Sequence, residues 1–156
     1  MDSISKLYTK KAQNEINLSK IILKISQDES LQEKVFSTPK DTYFSAVITH
    51  AYYSIFYMAK AYLLKKGIKT DSPEEHKKTY ETFKQLVEEG IVDVELLKLY
   101  EEALIRADTL VSIFHLEKSK CGKFTYKELP QANQEPAEKS IKNAEQFFKH
   151  VHNLCE

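Results

Sequence analysis

The chain has 156 residues, with 23 Lys plus Arg balanced by 23 Asp plus Glu, 42% hydrophobic and 29% charged residues, three glycines and four prolines. That length can bury a full core without disulfides or a metal, and the ratio of apolar to charged residues excludes a disordered chain. Zero net charge excludes nucleic-acid binding by bulk electrostatics and moves the question of partners to local sites.

Cys121 and Cys155 are too few and too far apart for a disulfide framework or a zinc site and read as reduced thiols. No run of eighteen apolar residues occurs, and Met1 to Lys6 lacks the basic-then-apolar pattern of a signal peptide, so the expectation is a cytoplasmic protein with no membrane association. Twenty-two of the 23 basic residues are lysines, and the remaining one is Arg106.

Three glycines leave little material for hairpins, and the apolar residues recur at intervals of three and four, which predicts an all-α fold. The first helix is predicted from about Ser3 to Asp28, its second half carrying Ile16, Leu18, Ile21, Ile22, Leu23 and Ile25. A short helical turn follows where Ser30 and Glu33 have capping-box spacing. For the second helix, Thr38 as N-cap, Pro39 and Asp41 are start signals and Gly67 is the end. Its aromatic and alanine residues extend around most of the circumference, which makes it buried or central.

The third helix is predicted to open at Ser72-Pro73-Glu74-Glu75 and close at Gly90, with Tyr80, Phe83 and Val87 inward. The fourth runs from near Asp93 to about Lys120, where Gly122 stops it. Residues Cys121 to Glu135 make the longest connection, and the last helix runs from about Pro136 to Cys155. There is no internal repeat or second domain, so residues 1–156 read as one unit.

No glycine-rich phosphate loop, metal-spaced cysteine pair or nucleophile turn is present, and no metal or cofactor is expected. His150 and His152, two residues apart on a helix, do not share a face. Arg106 rises from a largely apolar face, with Leu99 and Ile113 seven residues either side and Ala103 and Leu110 adjacent. Such an arginine snorkels to solvent or pairs with a carboxylate within the bundle, or it serves an ion pair at a dimer interface or a phosphate clamp. His115 is the candidate acid or base to accompany it as a catalytic pair. Nine residues along one helix separate the two by roughly 13 Å on opposite faces, so only a dimer or a bent helix joins them. Asp108, Ser112 and His115 share a stripe that reads as a solvated face.

Candidate binding residues fall in two groups. His50, among aromatics that include Tyr53 and Tyr57, reads as a core histidine with one satisfied nitrogen or as a residue facing a pocket, and His76 can also face a pocket. At His76 the positive end of the third helix disfavours the charged imidazole. Lys118, Lys120, Lys123 and Lys127 surround Phe124 and Tyr126, an arrangement that fits RNA through phosphate contact and base stacking, or else a solvated loop pinned by its aromatics. A further lysine cluster, Lys60, Lys65, Lys66 and Lys69, ends the second helix without an acidic residue among them.

The run His50-Ala51-Tyr52-Tyr53-Ser54-Ile55-Phe56-Tyr57-Met58-Ala59-Lys60-Ala61-Tyr62-Leu63-Leu64 resembles the second helix of the HEPN superfamily (higher eukaryotes and prokaryotes nucleotide-binding). Ser72 to Lys77 is similar to the entry of that family's third helix, Leu104-Ile105-Arg106-Ala107-Asp108 to its fourth, and Ala144, Phe147 and Phe148 to its last. The resemblance covers roughly Tyr43 to Val151. It implies an up-and-down bundle of four or five helices that homodimerises, in a family found beside minimal nucleotidyltransferases, in toxin and antitoxin pairs and as RNA-cleaving domains. The family's ribonucleases carry Arg followed after four to six residues by His, commonly with a polar residue next to the arginine. Here Ala107 follows Arg106 and eight residues precede His115. The resemblance therefore implies a non-catalytic module binding a nucleotide, RNA or a protein partner. The alternative is a metal-independent ribonuclease or toxin with Arg106 and a histidine assembled at a dimer cleft.

Overall fold

In the computed structural model, residues 2–37, 40–111 and 133–156 are described, and all their regular structure is helical. The order is α1 (Ser3–Gln27), α2 (Glu29–Lys34), α3 (Phe44–Lys65), α4 (Glu75–Glu88), α5 (Val94–Val111) and α6 (Gln134–Cys155). The all-α bundle is as the sequence predicts, with the short helical turn realised as α2. No helix among the described residues is long and apolar enough to cross a membrane.

The centre of the bundle is α3, packed against α1, α4, α5 and α6. Its inward face supplies Tyr52, Ile55, Phe56, Met58, Ala59 and Leu63, all essentially without solvent contact. From the other side come Phe83, Tyr100 and Phe147, whose rings lie 5.5 to 5.7 Å apart in tilted and edge-on pairs, the geometry aromatic quadrupoles favour.

The α1–α3 contact is built from small residues. Ser5, Ala12, Ser19 and Ser26 recur every seven residues and are all buried. The Ser5 hydroxyl donates to the Ala61 carbonyl at 2.8 Å, Ser54 donates to the Ala12 carbonyl at 2.8 Å, and Ser19 reaches the Val47 carbonyl at 3.3 Å. These pairings step down an antiparallel helix pair in constant register. Small side chains allow close approach, and each buried hydroxyl finds an acceptor on the opposing backbone.

Several boundaries differ from the sequence expectation. Thr38 and Pro39, read as the start of the second helix, lie outside the described residues, and α3 begins at Phe44. Its entry is fixed by buried polar groups. Gln32 donates to the carbonyls of Ile25 (2.6 Å) and Asp41 (2.9 Å) and accepts from the Asp41 amide, while the Ser26 hydroxyl accepts from the Tyr43 amide at 2.8 Å. The capping residue of α2 is Asp28, accepting from the Leu31 amide at 3.0 Å; Ser30 lies inside the helix. Helix α4 starts at Glu75, after Glu74 in the left-handed region (φ 58°), two to three residues later than Ser72-Pro73 signalled. At the other end Gly67 and Gly90 take φ of 80° and 76° just past α3 and α4, as chain-stopping glycines do.

In α1, Leu18 and Ile21 are exposed. The core-facing stripe runs through Ile16 and Ser19 instead.

Candidate functional site

Helix α3 carries His50, Tyr53 and Tyr57 at spacings of three and four, on the edge where it meets α1 and the start of α4. All three are half-buried. Tyr53 and Tyr57 stack with centroids 6.2 Å apart, and Tyr8 of α1 extends the row, 5.8 Å from Tyr57. The Lys11 ammonium lies over both the Tyr8 ring (5.1 Å) and the Tyr57 ring (5.4 Å), within cation–π range. At the head of the row His50 Nδ1 sits 2.6 Å from Glu15 Oε2.

His76, in the first turn of α4, folds into this surface. Its ring stacks on Phe56 with centroids 3.9 Å apart and meets Tyr53 edge-on at 5.8 Å. The Tyr52 hydroxyl is 2.8 Å from His76 Nδ1. Burial lowers the His76 pKa, opposed by the Glu75 charge and reinforced by the Lys60 charge, so the imidazole is neutral at physiological pH. The sequence expectation was the right direction; burial is the leading cause. Burial, with the neighbouring Tyr100, Tyr53 and Asp108, holds the Tyr52 hydroxyl far above its ordinary titration range, so it remains a phenol able to donate to Nδ1.

Lys60 does not belong to a surface lysine cluster. Its side chain is 2% exposed, with Nζ 2.7 Å from Glu75 Oε2 and 3.5 Å from Asp71 Oδ1, above the Tyr8 ring at 5.1 Å. Burial pulls its pKa down, but the Glu75 hydrogen bond and charge outweigh that, and the net shift is upward. The buried ammonium ties α3 to the start of α4 and so fixes His76 against the aromatic row. Nothing in the sequence around Lys60 signals this, because the partner acids lie beyond the α3–α4 turn.

Arg106 lies elsewhere. Its Nη2 pairs with Glu102 Oε2 at 3.6 Å, one turn back on α5, and Glu102 also accepts from Asn143 of α6 at 3.0 Å. Burial lowers the guanidinium pKa while the Glu102 charge opposes this, and Nη1 is buried with no hydrogen-bond partner among the described residues. The carboxylate that pairs with it stands on its own helix and is half-exposed. His115, Lys118, Lys120, Lys123, Phe124, Tyr126 and Lys127 lie outside the described residues. Asp108, expected on a solvated face, is buried at 1% exposure. Sequence periodicity missed it because the α5 stripe is broad enough to turn this position towards Tyr52.

His150 and His152 lie on different faces as their spacing requires. His150 lines a groove of about 540 Å³ between α5 and α6, whereas His152 stacks on Phe148 (5.6 Å) near the α6 end. Among the described residues no three His, Cys, Asp or Glu side chains converge into a group that could hold a metal. Burial raises the pKa of the Cys155 thiol, opposed by Lys65, and so lowers its thiolate fraction.

An antiparallel all-α bundle with an aromatic central helix, a histidine at the α4 entry and an arginine on α5 defines the class. The HEPN domain model matches residues 36–154, and the chain belongs to the HEPN family. No curated protein and no solved structure matches it.

Proposed function

We propose that the chain is a single, non-catalytic HEPN module, cytoplasmic and homodimeric, that binds a nucleotide or RNA through the α1–α3–α4 surface. The observation that carries this is the half-exposed row of Tyr8, Tyr57 and Tyr53 with Lys11 lying over two of its rings. Aromatic faces stack on bases and a lysine beside them meets a phosphate, the combination single-stranded nucleic acids require. A neutral His76 beside Tyr53 adds a ring nitrogen suited to a base edge rather than a second cation. Lys118, Lys120, Lys123, Phe124, Tyr126 and Lys127 extend the same chemistry in this proposal. A minimal nucleotidyltransferase partner and a place in a toxin–antitoxin pair follow from family membership and belong to the proposal also.

A second reading rests on the unpartnered Nη1 of Arg106. In it Arg106 and a histidine, His115 first, meet across two copies and cleave RNA without metal. The histidine would act as acid and base at the 2′-hydroxyl and leaving oxygen, and the guanidinium would stabilise phosphorane charge. The engagement of Arg106 with Glu102 argues for the binding reading. Metal-free incubation of wild type and Arg106→Ala with mixed single-stranded RNA separates the two. Cleavage lost in the variant favours the ribonuclease; intact RNA that is retained on a gel favours the binding module.

A further inference from the structure

Helix α1 carries a second apolar stripe facing away from the bundle. Ile4, Leu7, Leu18 and Ile21 are 51, 50, 38 and 57% exposed. With the exposed Lys11 and Asn14 they occupy alternating spacings of three and four residues, the a and d positions of three consecutive heptads. The core-facing residues Ser5, Ala12 and Ser19 fall one position later in the same heptads, so the outward stripe is a separate face. Helix α1 also precedes the segment that matches the HEPN model, residues 36–154.

We propose that this stripe pairs with the same stripe of a second copy, antiparallel, and that the pairing joins the two binding surfaces into one site. The proposal rests on the homodimeric reading above and names its interface. The stripe is palindromic in the register an antiparallel pair demands, where a positions meet d positions. Ile4 meets Ile21 of the second copy, Leu7 meets Leu18, and Lys11 meets Asn14, with each layer repeated by the two-fold axis. Four layers are apolar, and at the two about the axis the Lys11 stem lies beside Asn14 while its ammonium leans out over the Tyr8 and Tyr57 rings. A parallel pair would instead stack Lys11 on Lys11, like charges in a core layer. Flanking charges obey the same register: Lys10 falls opposite Asn17 and Lys24 opposite Ser3, so no flanking lysine faces another.

The consequence for the site is geometric. Tyr8 and Glu15 flank the stripe on the side towards α3, where Tyr8 packs at a tilt against Tyr57 and Glu15 holds His50. In an antiparallel pair the matching flanks of both helices lie on the same side of the contact. Both tyrosine rows, both His50–Glu15 pairs and the two Lys11 side chains therefore border one groove whose floor is the α1 pair.

The test is sedimentation equilibrium of wild type and of the Leu18→Glu/Ile21→Glu double variant, with circular dichroism confirming that these exposed substitutions leave the helices intact. A wild-type dimer whose dissociation constant rises at least about a hundredfold in the variant supports the interface, because all four apolar layers lose a partner. A dimer unaffected by the double substitution overturns this interface while leaving the homodimeric reading standing. A wild type that is monomeric at all concentrations overturns both. Orientation is read by oxidising Lys11→Cys and Asn14→Cys proteins separately and mixed, then mapping disulfides by mass spectrometry. The antiparallel register gives a disulfide between the two introduced thiols only in the mixture; self-linking of Lys11→Cys alone overturns it.

Discussion

The Lys60–Glu75 pair makes an asymmetric prediction. Lys60 is buried and Glu75 is 38% exposed, so removing one partner is not equivalent to removing the other. Glu75→Gln leaves an ammonium inside the protein with Asp71, 3.5 Å away, as its remaining charge partner. Breaking a fully buried pair costs about 3–5 kcal/mol. The exposure of Glu75, the hydrogen bond a glutamine oxygen still accepts, and Asp71 reduce this to about 2 kcal/mol, or roughly 4–8 °C in Tm for a chain of this size. Lys60→Met removes the buried charge, fills the space and keeps contact with the Tyr8 and Phe56 rings, while Glu75 turns to water; that costs about 1 kcal/mol or less. Because the folded Lys60 pKa lies above its ordinary value of 10.5, the pair contributes fully at neutral pH and is lost only as pH rises through that folded value. The difference between the variants should therefore be flat from about pH 7 to 9 in urea titrations. The pair also leaves a mark on His76, whose pKa Glu75 raises and Lys60 lowers. Its NMR titration should move down in Glu75→Gln and up in Lys60→Met. A Lys60→Met protein less stable than Glu75→Gln, or His76 shifts of the same sign, would refute the reasoning.

Other predictions follow from the same structure. The folded state favours neutral His76, so stability is complete above the ordinary histidine range and declines as pH falls below about 6.5; unfolding titrations in His76→Phe should show a shallower acid slope. Tyr52→Phe removes the hydroxyl at Nδ1 and should cost about 1 kcal/mol in urea unfolding, while leaving the helical circular dichroism unchanged. Ala12→Leu forces three extra carbons into the α1–α3 contact beside the Ser54 hydroxyl and should destabilise by about 2–3 kcal/mol, whereas Asn14→Leu, on the outward stripe, should leave monomer stability nearly unchanged.

The sequence made the helices legible because their apolar spacing and glycine stops are local signals, as at Gly67 and Gly90. His50, Tyr53 and Tyr57 stood in the sequence only as candidates to face a pocket; their alignment with Tyr8 of α1 depends on how the two helices pack. What it concealed depends on pairings between elements. Lys60 read as part of a lysine cluster without an acidic residue among them because Glu75 and Asp71 reach it only after the chain turns. Ser5 and Ser19 of α1 find their backbone acceptors only through the antiparallel register with α3, and Gln32 finds its own on Ile25 and Asp41 only where the chain turns towards α3, so none of them carries a local signal of burial. The contact of Tyr52 with His76 joins residues 24 apart and has no periodic signature. Which apolar residues of α1 face the core was not legible, because a helix with two apolar faces has no single stripe to assign.

The proposed binding surface is tested most directly by fluorescence anisotropy of a labelled single-stranded RNA, titrated at about 0.15 M salt with wild type and with Tyr53→Ala/Tyr57→Ala. Stacking contributes about 1–3 kcal/mol per base, so the variant should bind at least about tenfold more weakly, with wild-type affinity falling as salt rises. Equal affinity for the two proteins, or no binding by wild type, would contradict the assignment of this surface as an RNA site.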